Sequence, residues 1–142
     1  MKIIYTQRTR LPAEVEQCYQ ASYASLAELL AHSDCVSLHL PRAPQTVDFI
    51  GARELSWIKP GAFLINVSQP SLVQRDALCQ ALASRRLGGY GLDTFYEEPA
   101  KADDPLIRFP QVIVTPHLGG SPRQNSLEDI EEVLVDLGRL LA

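Results

Sequence analysis

The residues of this chain best suited to chemistry are a carboxylate and an imidazole whose spacing allows them to meet. The stretch Gly91-Leu92-Asp93-Thr94-Phe95-Tyr96-Glu97-Glu98-Pro99 is followed, eighteen residues after that Pro, by His117 in Thr115-Pro116-His117-Leu118-Gly119-Gly120. A short strand carrying Asp93, a turn holding Glu98 and a second strand ending at His117 would bring a carboxyl group within reach of a ring nitrogen. An acid in that place favours the protonated imidazole and fixes its tautomer, so such a His can deliver a proton at neutral pH.

Holding the pair requires strands with helices between them. Apolar runs from Ile3 to Tyr5, Cys35 to Leu40, Ala62 to Val67, Tyr90 to Asp93 and Val112 to Thr115 predict strands buried on both faces. Between them, Ser25 can cap a helix through Leu26, Leu29 and Leu30, and a second helix runs from Arg75 through Leu78, Leu82 and Leu87. This alternation predicts an α/β chain with a parallel sheet. Pro60-Gly61 and Gly88-Gly89 mark the turns into the third and fourth strands. A last helix opens around Ser121-Pro122, with Leu127, Ile130, Val133, Leu134, Leu137 and Leu141 at helical spacing and Glu128-Asp129-Glu131-Glu132 as a solvated acidic cluster. Trp57 and the Leu26 to Leu30 group are expected in the core, Tyr96 as a packing or pocket-lining aromatic, Glu97 and His32 in solvent. For His39 two readings stand: a strand end facing a ligand crevice, or a satisfied core histidine.

A chain of 142 residues with 46% hydrophobic content can bury one ordinary core, and no shift of composition marks a second domain. Its net charge of −4 argues against nucleic acid and anionic membranes as partners, although Arg8 and Arg10 form a local basic pair that could meet one phosphate. Cys18, Cys35 and Cys79 are odd in number and widely spaced, which suggests neither a disulfide framework nor a metal site and fits a reducing cytoplasm. There is no charged leader with an apolar segment behind it, and no apolar run near the ~18 residues that a membrane span requires.

With these blocks in order, the chain resembles the D-isomer-specific 2-hydroxyacid dehydrogenases, which reduce 2-oxo acids with a nicotinamide cofactor. The motifs are Val36-Ser37-Leu38-His39-Leu40-Pro41, then Pro44-Gln45-Thr46, Ile50-Gly51 and Lys59-Pro60-Gly61-Ala62-Phe63-Leu64-Ile65-Asn66, followed by the acid and imidazole segments above. The resemblance implies a Rossmann-like doubly wound parallel sheet. It implies that His117 is the proton donor and that Glu98 is its carboxylate partner, with Thr94 replacing the usual aliphatic. It implies that Asp93 holds the carboxamide side of the cofactor, and that backbone around Leu40, Pro41, Val67, Gly119 and Gly120 contacts its ribose, adenine and nicotinamide portions. No acidic residue stands in Tyr5-Thr6-Gln7-Arg8-Thr9-Arg10 to take a ribose 2′-hydroxyl, while Arg8 and Thr9 resemble the family's ending for a 2′-phosphate, which points to NADP with NAD as the alternative. Relatives pair through their nucleotide-binding domains, so a homodimer is implied too.

The chain also departs from the pattern. Where the family carries an Arg for the substrate carboxylate, the segment here is Asn66-Val67-Ser68-Gln69-Pro70. Gln69 has no charge and no bidentate fork, and losing one such donor typically costs ~10² to 10³ in rate. No Gly-x-Gly-x-x-Gly cluster occurs. The resemblance therefore implies that the first strand and its phosphate-binding turn lie upstream of Met1, that Met1 reads as an internal position, and that residues 1–142 form one partial NAD(P)-binding domain without a substrate domain. In the strand order 3-2-1-4-5-6 the missing strand would lie between those at Ile3 and Ala62, splitting the sheet. The leading expectation is an impaired or inactive portion of a dehydrogenase for a small 2-oxo or 2-hydroxy acid. Beside it stand a non-catalytic nucleotide- or partner-binding module, and a fragment of a decayed gene.

Overall fold

The computed structural model describes residues 1–98, 101–115 and 117. In chain order the elements are β1 (Ile3–Tyr5), α1 (Ala13–Tyr19), β2 (Ala21–Tyr23), α2 (Leu26–His32), β3 (Cys35–Leu38), α3 (Ala52–Trp57), β4 (Phe63–Asn66), α4 (Arg75–Ala83), β5 (Gly89–Leu92) and β6 (Val112–Val114). Short 3-10 turns at Pro44–Thr46, Pro70–Leu72 and Pro105–Arg108 each begin with a Pro, whose fixed φ suits a first helical position. Among the described residues all strand pairs are parallel. The predicted α/β, Rossmann-like class is thus the observed one.

Local chemistry explains the boundaries. Ser25 Oγ accepts from the Glu28 amide at 3.3 Å while the Glu28 carboxylate accepts from the Ser25 amide at 3.0 Å, a reciprocal cap that starts α2. Helix α1 ends where Gln20 turns left-handed, with φ 50°. Helix α4 stops at Ala83, short of the predicted Leu87, because Arg85 also takes a left-handed φ of 56°. Leu87 nonetheless enters the core from the following turn.

The strands form two sheets. One holds β1 and β2, and the other has the order β3-β4-β5-β6. A break in the sheet was expected between the strands at Ile3 and Ala62; instead β3 pairs with β4 and occupies the edge, so the strand at Cys35 belongs on the far side of the break from Ile3. The discrepancy arises because Ala21–Tyr23, too short and polar to show as an apolar run, is also a strand.

Burial on both strand faces is corrected as well. Val36, Leu38, Leu64 and Leu92 are buried with Leu30, Leu55, Leu78 and Leu82 of the helices. On the opposite face Cys35, Ser37 and Phe63 are exposed, and Ile113 is 72% exposed. Helices α2, α3 and α4 therefore cover one face, and along β3 the alternation of buried and exposed residues is strict. Trp57 is only half-buried, and the Arg53 guanidinium lies 5.0 Å from the centre of its ring. The predicted helix from Ser121 lies outside the described residues.

Candidate active site

Parallel pairing puts the ends of β3, β4, β5 and β6 at one edge of the sheet, and the residues just beyond those ends are the ones that sequence singled out. At the end of β4, buried Asn66 shapes the turn: its amide donates to the Gln69 carbonyl at 2.8 Å, and its side-chain oxygen accepts from the Ser68 amide at 3.2 Å. This is the local side chain to backbone bonding at which Asn excels. Ser68 Oγ then donates to the Leu38 carbonyl at 3.0 Å, and Thr94 Oγ1 donates to the Ser68 carbonyl at 3.4 Å. Three strand ends are thereby tied to one another through small polar residues. Sequence reasoning passed over Asn66 and Ser68 as functional; the Asn-x-Ser spacing at a strand end was the available signal.

Asp93, just past β5, is 4% exposed, and Thr115, just past β6, donates its hydroxyl to the Asp93 carboxylate. The Thr115 amide also donates to the Leu92 carbonyl at 3.0 Å. Asp93 and the start of the segment leading to His117 are thus held together. His117 Nδ1 lies 3.0 Å from Glu98 Oε2, the pair that the family resemblance implied. The other oxygen of that carboxylate accepts from the Phe95 amide at 3.2 Å, so both carboxylate oxygens of Glu98 are engaged. The pair stands open to solvent, with side-chain exposures of 52% and 41%. His117 takes a left-handed φ of 56°, a region in which His is enriched among non-Gly residues. Among the described residues Nε2, on the ring edge away from Glu98, has no hydrogen-bond partner.

The other predicted residues are distributed along the same edge. Leu40 is half-buried and Pro41 exposed beyond β3, and Val67 is 44% exposed beyond β4. Gln69 is half-buried and leads into the 3-10 turn begun by Pro70. His39 is exposed, with Nε2 2.8 Å from Ser37 Oγ, which overturns its core reading. Gly119 and Gly120 lie outside the described residues.

Beyond β1, Arg8 and Thr9 are exposed, but Arg10 is not free to meet a phosphate as a partner of Arg8. Its guanidinium grips Glu16 with two bonds of 2.8 Å and lies 5.9 Å from the centre of the Tyr23 ring. Tyr5 Oη adds a third bond to Glu16 at 2.7 Å. Hydrogen bonds from Arg10, then from Tyr5, hold the Glu16 carboxyl down at about 2. Sequence gave no signal for this lock, because its members come from a strand, a loop and a helix.

The profile described as "D-isomer specific 2-hydroxyacid dehydrogenase, NAD binding domain" matches residues 1–119. This chain belongs to that family. The D-3-phosphoglycerate dehydrogenase of Escherichia coli K12 is 48% identical over 103 residues, covering 70% of this chain and 25% of that protein. The glyoxylate reductase of Thermococcus litoralis is 41% identical over 124 residues, covering 87% of this chain and 37% of that protein. Among solved structures, apo D-mandelate dehydrogenase of Rhodotorula graminis superposes with a TM-score of 0.80 at 34% identity, covering 86% of this chain and 35% of that one. The chain thus spans between a quarter and two fifths of these relatives. Within the 2-hydroxyacid dehydrogenase family the matched region is the NAD-binding domain, so a nicotinamide cofactor is the ligand class of this domain. Among the described residues, no helix is long and apolar enough to cross a membrane, and no group of three His, Cys, Asp or Glu could hold a metal ion.

Proposed function

We propose that this chain is the NADP-binding portion of a cytoplasmic dehydrogenase for a small 2-oxo acid, with His117 as proton donor and Glu98 as the group that orients it. The contact of 3.0 Å between His117 and Glu98 at the carboxyl ends of the strands carries the reading. A carboxylate on Nδ1 holds a proton there, which leaves Nε2 to present the proton that a substrate carbonyl oxygen receives. Asp93, buried under the Thr115 hydroxyl, supplies an acceptor of fixed position for a carboxamide.

The residues present fit the nucleoside parts of a dinucleotide. Val67, Pro41 and Leu40 offer apolar surface beyond two strand ends, and exposed Arg8 and Thr9 suit a 2′-phosphate. The cofactor supplies the hydride when bound. Because Arg10 is spent on Glu16, Arg8 is the cation available to a 2′-phosphate at this turn. Pairing of two copies through this domain belongs to the same proposal.

A second reading, nucleotide binding without turnover, is favoured by Gln69 where an arginine would anchor the substrate carboxylate. Titration of the chain with NADPH and with NADH, followed by cofactor fluorescence, tests both. Saturable binding that prefers NADPH and is lost in Arg8→Ala supports the cofactor assignment; equal binding of the two overturns it. Adding glyoxylate to the bound complex then separates the readings. Oxidation of NADPH that vanishes in His117→Gln supports catalysis, whereas binding without oxidation leaves the second reading standing.

A further inference from the structure

We propose that Tyr96 and Arg75 are positioning residues for the Glu98–His117 pair. This inference rests on the reading of that pair as the proton-delivering site. Glu98 and His117 are both substantially exposed, and exposed ion pairs are weak, so their own attraction does little to hold one geometry. Something better buried must do so. The Glu98 carboxylate is braced by the Phe95 amide, so its orientation follows the backbone of residues 95 and 96.

That backbone is fastened by the next side chain. Half-buried Tyr96 donates its hydroxyl to the Val73 carbonyl, and burial pushes the phenol pKa up, which keeps it a donor throughout the neutral range. The Arg75 guanidinium lies 5.5 Å from the centre of the Tyr96 ring and makes a contact of 2.8 Å with Asp104 Oδ2. Asp104 is 6% exposed, and its other oxygen accepts from the Leu106 amide at 2.9 Å. The start of α4 therefore grips the acid-bearing segment at Tyr96 and again at Asp104, on either side of Glu98. A planar guanidinium can stack on a ring and bond a carboxylate at once, which an ammonium does poorly.

A purely structural clamp would change stability and nothing at His117, so the test reads the imidazole itself. In the full 142-residue chain, nitrogen NMR above the His titration range gives the ratio of Nδ1–H to Nε2–H tautomers of His117. Glu98→Gln sets the scale, with an expected fall in that ratio of about two- to fivefold, the size of one net hydrogen bond from the neutral ring to a carboxylate in solvent. Tyr96→Phe, which keeps the ring under Arg75, is expected to lower the ratio by a smaller factor. Tyr96→Leu and Arg75→Met should approach Glu98→Gln, while Arg75→Lys should fall between Arg75→Met and the unmodified chain. A ratio unchanged in folded Tyr96→Phe and Arg75→Lys, while Glu98→Gln lowers it, would overturn the positioning role and leave the pair intact as a site. No change in Glu98→Gln would overturn the pair itself and this inference with it.

Discussion

The two sheets of this domain are held by different forces. In the β1–β2 sheet and its helix α1 no residue is fully buried, and the region is organised by Tyr5, Arg10 and Glu16, a polar lock closed over by Tyr23. The β3–β6 sheet rests instead on wholly buried side chains such as Leu64, Leu78 and Leu82. Apolar burial is non-directional and cumulative, whereas a partly exposed polar cluster depends on geometry and contributes little per contact. The contrast also divides the candidate site. The acid–imidazole pair is attached to the apolar sheet, and the Arg8–Thr9 ending to the polar one.

The largest effect that this contrast predicts comes from core truncation. Leu78→Ala should destabilise the chain by ~2–5 kcal/mol in urea denaturation, and Ile4→Ala, at a half-buried position, by roughly 1 kcal/mol. Equal costs would break the comparison. Next, amide hydrogen exchange should show β4 and β5 protected by roughly a hundredfold more than β1 and β2, because local opening of the polar sheet exposes little apolar surface. Uniform protection would mean that the two sheets open as one unit. Removing the cap of α2, the helix that joins the two regions, by Ser25→Ala should cost about 1 kcal/mol.

The smallest and most specific effect is on pH dependence. The folded Glu16 carboxyl titrates at about 2 against an ordinary 4.5, a lowered value. Its stabilising contribution is therefore complete above about 4.5 and is lost as pH falls toward about 2. Glu16→Gln should be less stable than the unmodified chain at neutral pH, with the difference shrinking through that window. A difference that stays constant down to pH 2 would remove the lock from the account.

Much of this was legible beforehand, and the reason lies in which signals are local. Strand–turn–strand spacing brought a carboxyl group to His117 and the family resemblance singled out Glu98, while Ser25 announced its helix because a capping box is written within four residues. Strand β2 escaped because three residues, one of them Ser22, make no apolar run. The exposure of Cys35, Ser37, Phe63 and Ile113 escaped because a run of small and apolar residues reads the same whichever face it presents. The lock at Glu16 and the clamp at Tyr96 join residues between 6 and 29 positions apart by side-chain bonds that no periodicity encodes.

At the amino ends of the same strands, a Cβ placed on Gly88 would lie 2.2 Å from the Gly61 carbonyl oxygen, and the Gly61 amide bonds the Arg86 carbonyl at 3.0 Å. The turns feeding β4 and β5 are thus pressed backbone to backbone, which leaves no room for a side chain or an inserted residue between them. Change in this domain is therefore channelled to the opposite end. Turns there, such as the one through Gln69 and Pro70, can change length while the strands beneath keep their alignment.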